Sequence, residues 1–451
     1  MTNKTNPRLF LDIHVVQTVP PANINRDDTG SPKTAQYGGV TRARVSSQCW
    51  KRAIRKYFLD NGDRYEVGIR SRDIPQYIAE KIRKKDESLT LEQAISLVEK
   101  NLRVATKKGD NEIKFGKDHK LEALFFISHK QADKFAQACL DIDVDKEKLE
   151  KALKEELQKD LNEKLQKALN KDPAIDKEKL QKDLNKKLQK VLKEKLQKAL
   201  KEKLQEPLKE NPTIDIDLFG RMLANDPSLN VDASAQVAHA ISTHAVESEF
   251  DFYTAVNERM PEDNAGAGMP GTIEYNATTV DDLAPEDNAG AGMLGTIEYN
   301  AATLYRYANV SLHEFYKQLN KNKEETIKAV KLFVRAFVNS MPTGKINSFA
   351  NQTLPQAVIV SLRADRPINL VSAFEKPVQS ENGYVNKSIQ KLFEEYTKCE
   401  KILEQPVFTD YLLLTDKLEV APIGKSTANL SELLSDLEKA ITENLTDGDQ
   451  L

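Results

Sequence analysis

The spacing of apolar positions changes along the chain, and each change names an element. Leu9 to Val16, LFLDIHVV, read as a β-strand, and Thr18 to Gly39 as a loop rich in Pro, Asn, Asp and Gly. A helix is expected to start near Ser47, whose hydroxyl can cap free amides. Trp50, Ile54 and Phe58 fall on one face of it, with Lys51, Arg52, Arg55 and Lys56 around the rest. A mostly helical stretch follows to about Leu140, and Ala357 to Leu362, AVIVSL, reads as a buried strand.

Residues 144 to 211 follow another rule: leucine recurs every four residues, from Leu149 to Leu169 and again from Leu180 to Leu208. An α-helix repeats every 3.6 residues, so a strict period of four drifts by about 40° per step. That suits neither a left-handed nor a right-handed coiled coil. Two long, mostly solvated helices broken near Pro173 are expected, projecting as an arm. A second repeat is sharper. PEDNAGAGMPGTIEYNATT from Pro261 and PEDNAGAGMLGTIEYNAAT from Pro285 agree at 17 of 19 positions. Two copies are too few for a solenoid, so this is a local duplication in one loop or hairpin. The mixture of elements predicts an α+β core interrupted by long insertions.

Composition narrows the function. The 451 residues carry a formal net charge of −3, so nucleic-acid binding has to come from local patches. Cys49, Cys139 and Cys399 are scattered, which suits a reducing cytoplasm and neither a disulfide framework nor a zinc site. The polar opening MTNKTNPRLF and the lack of a long apolar run predict a soluble, cytoplasmic protein with no membrane contact.

The strongest chemical signal is electrostatic. From Thr29 to Phe58 there is no acid, but there are seven bases: Lys33, Arg42, Arg44, Lys51, Arg52, Arg55 and Lys56. Gly38 and Gly39 precede the arginines, and Ser46, Ser47 and Gln48 follow. Close backbone approach at glycine, bidentate arginine and free helix amides together describe a phosphate-tracking surface. A solvated helix face is the plainer alternative. A second acid-free stretch, Thr326 to Ala364, carries Lys328, Lys331, Arg335, Lys345 and Arg363. Its turn, PTGKINS, contributes Lys345 and Asn347 as candidates.

Catalytic patterns are thin. The Gly266–Gly271 and Gly290–Gly295 runs match GxGxxG formally, but a strand-like TIEYN follows where a dinucleotide fold needs a helix. His239 and His244 are about 140° apart on a helix, unlike an HExxH pair. His14, His119, His129 and His313 are scattered, and Asp27–Asp28 reads as turn caps. No cofactor, metal or catalytic residue is expected, and no aromatic run suggests base stacking on an open sheet.

Several blocks in order resemble the CasC family, the repeated guide-RNA backbone subunit of the type I-E CRISPR Cascade complex. They are NRDD at 25–28, YGG at 37–39, RARVSSQCWKRAIRK at 42–56, FGRM at 219–222, VAHAISTH at 237–244 and DFYTAV at 251–256. LGTIEYNAATLYRYAN at 294–309, PTGKINSFA at 342–350 and SAFEKPV at 372–378 complete the set. The resemblance implies an RRM-like (ferredoxin-like) palm interrupted by helical fingers and a thumb loop. The expected division is palm 1–60, fingers 61–143, arm 144–211, palm or web 212–249, thumb 250–303 and palm 304–451.

It further implies a non-enzymatic protein that polymerises head to tail along guide RNA. The RNA would be held by its backbone for pairing with target DNA, beside other Cascade subunits. By position, Arg26, Lys33, Arg42, Arg44, Ser46, Gln48, Lys51 and Arg55 match palm residues near the guide backbone. Met222 matches a wedge against the bases, and Tyr253 and Leu294 match thumb residues near a displaced nucleotide. Val40 and Thr41 stand where relatives carry bases, Pro270 replaces Leu294 in the first thumb copy, and the second copy is expected to be the native-like one. The competing reading is an RRM-like CRISPR RNA-processing nuclease, which would need a compact general acid/base cluster.

Overall fold

The computed structural model describes residues 8–62, 67–108, 111–171, 177–210, 212–223, 226–256, 291–415 and 418–446. The palm begins with β1 (Phe10–Ala22), β2 (Thr34–Tyr37), β3 (Val40–Val45) and α1 (Ser47–Asn61). The fingers contain β4 (Ile69–Ser71), α2 (Ile74–Lys85), α3 (Leu91–Thr106) and β5 (Phe125–Ile127). They continue through α4 (His129–Lys171) and α5 (Lys177–Lys209) to α6 (Ile214–Phe219). The chain returns by β6 (Ala235–Val237) and β7 (Ala240–Ser242) and forms the thumb with β8 (Glu249–Val256) and β9 (Ala291–Ser311). The palm closes with α7 (Leu312–Gln318), α8 (Lys323–Asn339), α9 (Ile346–Phe349), β10 (Pro355–Arg363), α10 (Val385–Cys399), β11 (Phe408–Leu413), β12 (Lys425–Ser426) and α11 (Leu430–Asn444).

The sheet order is β12-β11-β10-β1-β9-β7-β3-β2. Its centre, β10-β1-β9-β7, with α1 after β1 and α8 after β9, is the split βαβ arrangement of a ferredoxin-like fold. The α+β palm expected from the sequence is therefore present. Strand β1 alternates in period two. Leu11, Ile13 and Val15 pack beneath Ile54, Phe58, Phe333, Phe337 and Leu437 of α1, α8 and α11. Val16 faces the other way, into a core with Tyr305, Tyr307, Phe374, Leu392 and Tyr396.

That second face also holds a polar network. Asp12 accepts from Tyr307 Oη (2.7 Å) and the Ile368 amide (3.1 Å), and His14 Nδ1 meets Tyr305 Oη (2.9 Å). Burial pushes the Asp12 carboxyl up to about 7 and His14 down to about 3. Among the described residues both faces of the central strands β10, β1 and the β1-paired half of β9 are thus covered, so these strands offer no open face on which bases could stack as on a simple RRM.

At about 3.3 Å per residue, β9 spans about 70 Å. Its second half pairs with β1, and its first half leaves the palm and pairs with β8. The loop expected from Thr18 to Gly39 is shorter than read, because β1 runs on through Pro20 and Pro21 and β2 occupies Thr34–Tyr37.

The arm also differs from expectation. Helix α4 continues from the fingers as one helix, and its leucines meet those of α5: Leu157 and Leu161 are buried, and Leu188, Leu192 and Leu196 half-buried. The four-residue period leaves these leucines only partly shielded toward the outer part of the arm, where Leu188, Leu192 and Leu196 are half-buried. Lys195–Glu156 (3.1 Å) and Lys203–Asp145 (2.9 Å) fix the antiparallel alignment. At the base, Leu204 and Leu208 enter the fingers core with Ile78, Val98 and Phe135, so the arm boundary at 211 cuts through that core.

Candidate nucleic-acid interface

Helix α1 is the organising element of the basic stretch. Trp50, Ile54 and Phe58 are buried, as the periodicity requires, which turns Gln48, Arg52 and Lys56 outward. Its cap is Ser46 rather than Ser47, with Ser46 Oγ accepting from Cys49 N (3.3 Å). Three of the amides at this end are engaged, the third being that of Cys49. Ser46 N donates to Asn25 Oδ1 (2.8 Å) and Ser47 N to His239 Nδ1 (3.2 Å). The helix terminus thus presents fewer free amides than the sequence suggests, and exposed side chains surround it.

Those side chains lie at one end of the palm. Lys33 N donates to Asn25 O (2.9 Å), and Lys33 O accepts from Arg44 N (2.8 Å), which ties the 23–33 loop to β3. Arg26 is exposed at the tip, and Lys33 and Arg44 are half-exposed. Asp27 is a turn cap, its Oδ1 accepting from the amides of Thr29 and Ser31, both at 3.0 Å. The 342–350 turn sits against the same loop. A Cβ on Gly344 would come within 2.3 Å of Ile24 O, so only glycine permits that approach. Lys345, at φ +50°, and exposed Asn347 follow directly on this contact with the loop that carries Arg26 and Lys33.

Other candidates are placed elsewhere. Arg42 is fully buried and donates to the carbonyls of Tyr37 (3.1 Å), Ser242 (2.9 Å) and Phe374 (2.8 Å), so it pins the β2–β3 hairpin to the 370s segment. Gly38 serves the same contact: a Cβ there would overlap Glu375 O at 1.7 Å. Arg42 is accordingly corrected from an RNA contact to a structural anchor. Ser46 is buried as the cap. Arg55 pairs with buried Asp215 (2.8 Å) and donates to Gly68 O (2.9 Å), which joins palm to fingers. Lys51 lies 5.3 Å over the Phe219 ring, where burial, and then Arg70, lower its pKa.

The second acid-free stretch is likewise dispersed. Lys331 pairs with Glu438, and Arg363 is buried beside Asp12 and Asp365, both at 3.8 Å.

Met222 stands out. Gly220 takes φ +79° at the end of α6, and Arg221 is buried, donating to Leu229 O (2.9 Å), Leu208 O (2.7 Å) and Gln131 Oε1 (3.2 Å). Next to this clamp Met222 is 85% exposed. A large apolar side chain held out beside the anchored Arg221 suits a wedge.

In the thumb, Tyr253 pairs with Gly295 and Thr254 with Leu294. The strand partnered by β8 is the second copy, and the first copy, 261–284, lies outside the described residues. Phe250 (71% exposed) and Phe252 (57%) share one side of β8, a feature the sequence reading missed although their period-two spacing signals it. The Gly290–Gly295 run enters β9, a strand, which excludes a dinucleotide turn there.

The profile of the CT1975-like protein family matches residues 11–279 and 277–440. The chain belongs to that family. The two matches meet at 277–279, the tail of the first thumb copy. A solved chain described as "CRISPR RNA-guided surveillance complex, pre-nicking" superposes with a TM-score of 0.70 and 28% identity, over 96% of this chain and 99% of that one. Another, from a "CRISPR RNA-guided surveillance complex", shares the fold at a TM-score of 0.61 and 24% identity, with the same coverages of 96% and 99%. No curated protein matches the sequence. The CasC resemblance is borne out by these matches. Among the described residues no helix is long and apolar enough to cross a membrane.

Proposed function

We propose that this CT1975-like chain is the guide-RNA backbone subunit of a CRISPR RNA-guided surveillance complex. The observation that carries the reading is the superposition over nearly the whole of both chains at 28% identity. The palm supports it. Arg26 and Lys33 share a loop that is bonded to Arg44 and packed on by the turn carrying Lys345 and Asn347, Gln48 is exposed on α1, and Met222 is 85% exposed next to its clamp. Such a surface holds phosphates without reading sequence, which leaves base edges free to pair with target DNA. In this reading copies stack head to tail, an open heterologous assembly, beside other subunits in the cytoplasm.

The role is binding rather than catalysis. The buried histidines His14 and His244 are locked in hydrogen bonds to Tyr305 Oη (2.9 Å) and the Thr303 amide (3.1 Å). The test is co-purification. The protein expressed with its guide array should carry RNA of uniform length and should leave added precursor RNA uncut. Protein free of RNA, or cleavage of the precursor, would overturn the reading.

A further inference from the structure

We infer that His239 is a guide-RNA contact, completing with Lys33 and Arg44 a subsite for one phosphodiester at the foot of α1. This rests on the RNA-binding reading above. His239 lies in the short connection between β6 and β7, and its backbone is held on both sides. Ala238 N donates to Tyr307 O (2.9 Å), and Ala240 pairs with Val45 of β3. The ring is held as well, because Nδ1 accepts from Ser47 N (3.2 Å). A neutral imidazole has one acceptor and one donor nitrogen, so this bond leaves the proton on Nε2.

The side chain is exposed, and among the described residues Nε2 has no protein partner. Burial of part of the ring, and then the charges of Arg44 and Lys33, hold it below the usual histidine range. At neutral pH the ring, oriented by the Ser47 amide, is therefore a neutral N–H donor within the field of two cations, of which Arg44 is itself positioned by a bond from Nε to Thr34 O (3.1 Å). That is a good match to a phosphodiester oxygen: two cations supply the attraction, and the neutral donor adds direction without a third repelling charge.

Capping α1 requires only Nδ1; the outward Nε2–H is surplus to it. The two roles separate by substitution in the full chain, because an Asn amide oxygen reaches about as far as Nδ1 but offers nothing at Nε2. His239→Asn should melt like the wild type, yet bind a labelled single-stranded RNA oligonucleotide about tenfold more weakly. Its log–log salt slope should be unchanged, because no charge is lost. Lys33→Ala should flatten that slope by about 0.7. His239→Gln, which restores a donor near the Nε2 position at the expense of the cap, should recover binding while melting lower. Wild-type binding by His239→Asn, with Lys33→Ala still flattening the slope, would reduce His239 to a cap and overturn this inference alone. An unchanged slope and affinity in the Lys33→Ala, Arg44→Ala double variant would overturn the RNA reading beneath it.

Discussion

Arg55 and Asp215 join the palm to the fingers through one Nε–Oδ2 contact of 2.8 Å. Asp215 is fully buried, and its Oδ1 accepts from Gly68 N (2.9 Å) and Thr213 Oγ1 (2.7 Å). Arg55 answers with a bond to Gly68 O (2.9 Å). One pair thus gathers helix α1 and both strands of chain that pass between palm and fingers. Removing the arginine leaves a buried carboxylate without its counter-ion. Arg55→Ala should destabilise the protein by about 3 kcal/mol, measured by chemical denaturation. Lys56→Ala, on the exposed side of α1, should change stability by less than about 0.5 kcal/mol. Equal stabilities would show that Arg55 is a surface charge after all.

Met222 gives the opposite pattern. At 85% exposure it contributes little to the fold, so Met222→Asp should melt within a degree or two of the wild type, consistent with about 0.5 kcal/mol or less. Its effect should appear in assembly on guide RNA, measured by mass photometry of the purified complex. A lowered melting temperature with normal assembly would place Met222 in the fold instead of the interface.

The palm was legible in the sequence because its signals are local. The strand at Leu9, the Trp50–Ile54–Phe58 stripe and the AVIVSL strand each declare a period within a few residues. The destinations of single arginines were not. Arg42 and Arg44 lie two apart in one strand, yet one is buried against carbonyls from three segments and the other is half-exposed. Both point to the same face of the strand, so only the distant Ser242 and 370s carbonyls that receive Arg42 decide between them. His239 was passed over for a similar reason: its partner, the Ser47 amide, is far away in sequence and is a backbone group that no motif records.

The arm predicts a graded response to truncation. Leu204 is fully buried in the fingers core, and Leu208 O receives the Arg221 guanidinium at 2.7 Å. Leu204→Ala should cost about 3 kcal/mol. Replacing residues 166–186 with a short Gly/Ser turn should leave the melting curve of the body intact, because the ion pairs at Glu156–Lys195 and Asp145–Lys203 lie nearer the base. Loss of cooperative unfolding in that second variant would mean that the tip, too, packs on the body.

Asp217 predicts a pH dependence. It is buried, both carboxylate oxygens lack a hydrogen-bond partner, and Arg221 nearby compensates only in part. Burial, reinforced by the charge of Asp215, pushes it from 3.8 up to about 8. The folded state thus binds the proton more tightly than the unfolded chain. The stability it confers is complete below about pH 4 and is lost as pH rises through about 8. Asp217→Asn should be more stable than the wild type above pH 7, with a shallower fall of melting temperature between those limits. The fall should not vanish, because Asp12, raised to about 7, acts with the same sign. Parallel wild-type and Asp217→Asn curves would show that Asp217 stays ionised throughout.

The thumb predicts which repeat copy is needed. Every residue that β8 pairs with, from Ala291 to Tyr299, belongs to the second copy or enters directly from it. Leu294 sits opposite Thr254 in this ladder, and the strand continues without a break into its pairing with β1. In the first copy the corresponding residue is Pro270, which lacks an N–H to donate and so suits a ladder position poorly. Deleting 261–284 shortens the connection between β8 and β9 by more than half. On loop-closure entropy alone this should favour the hairpin by about 1 kcal/mol. The deletion variant should therefore fold, bind RNA and assemble as the wild type does. Leu294→Asp should fold normally but assemble poorly, since a charge at that register opposes the apolar contact the resemblance implies. Sizing complexes reconstituted on one guide RNA separates the two. If the deletion abolished assembly and Leu294→Asp did not, the first copy would be the working thumb.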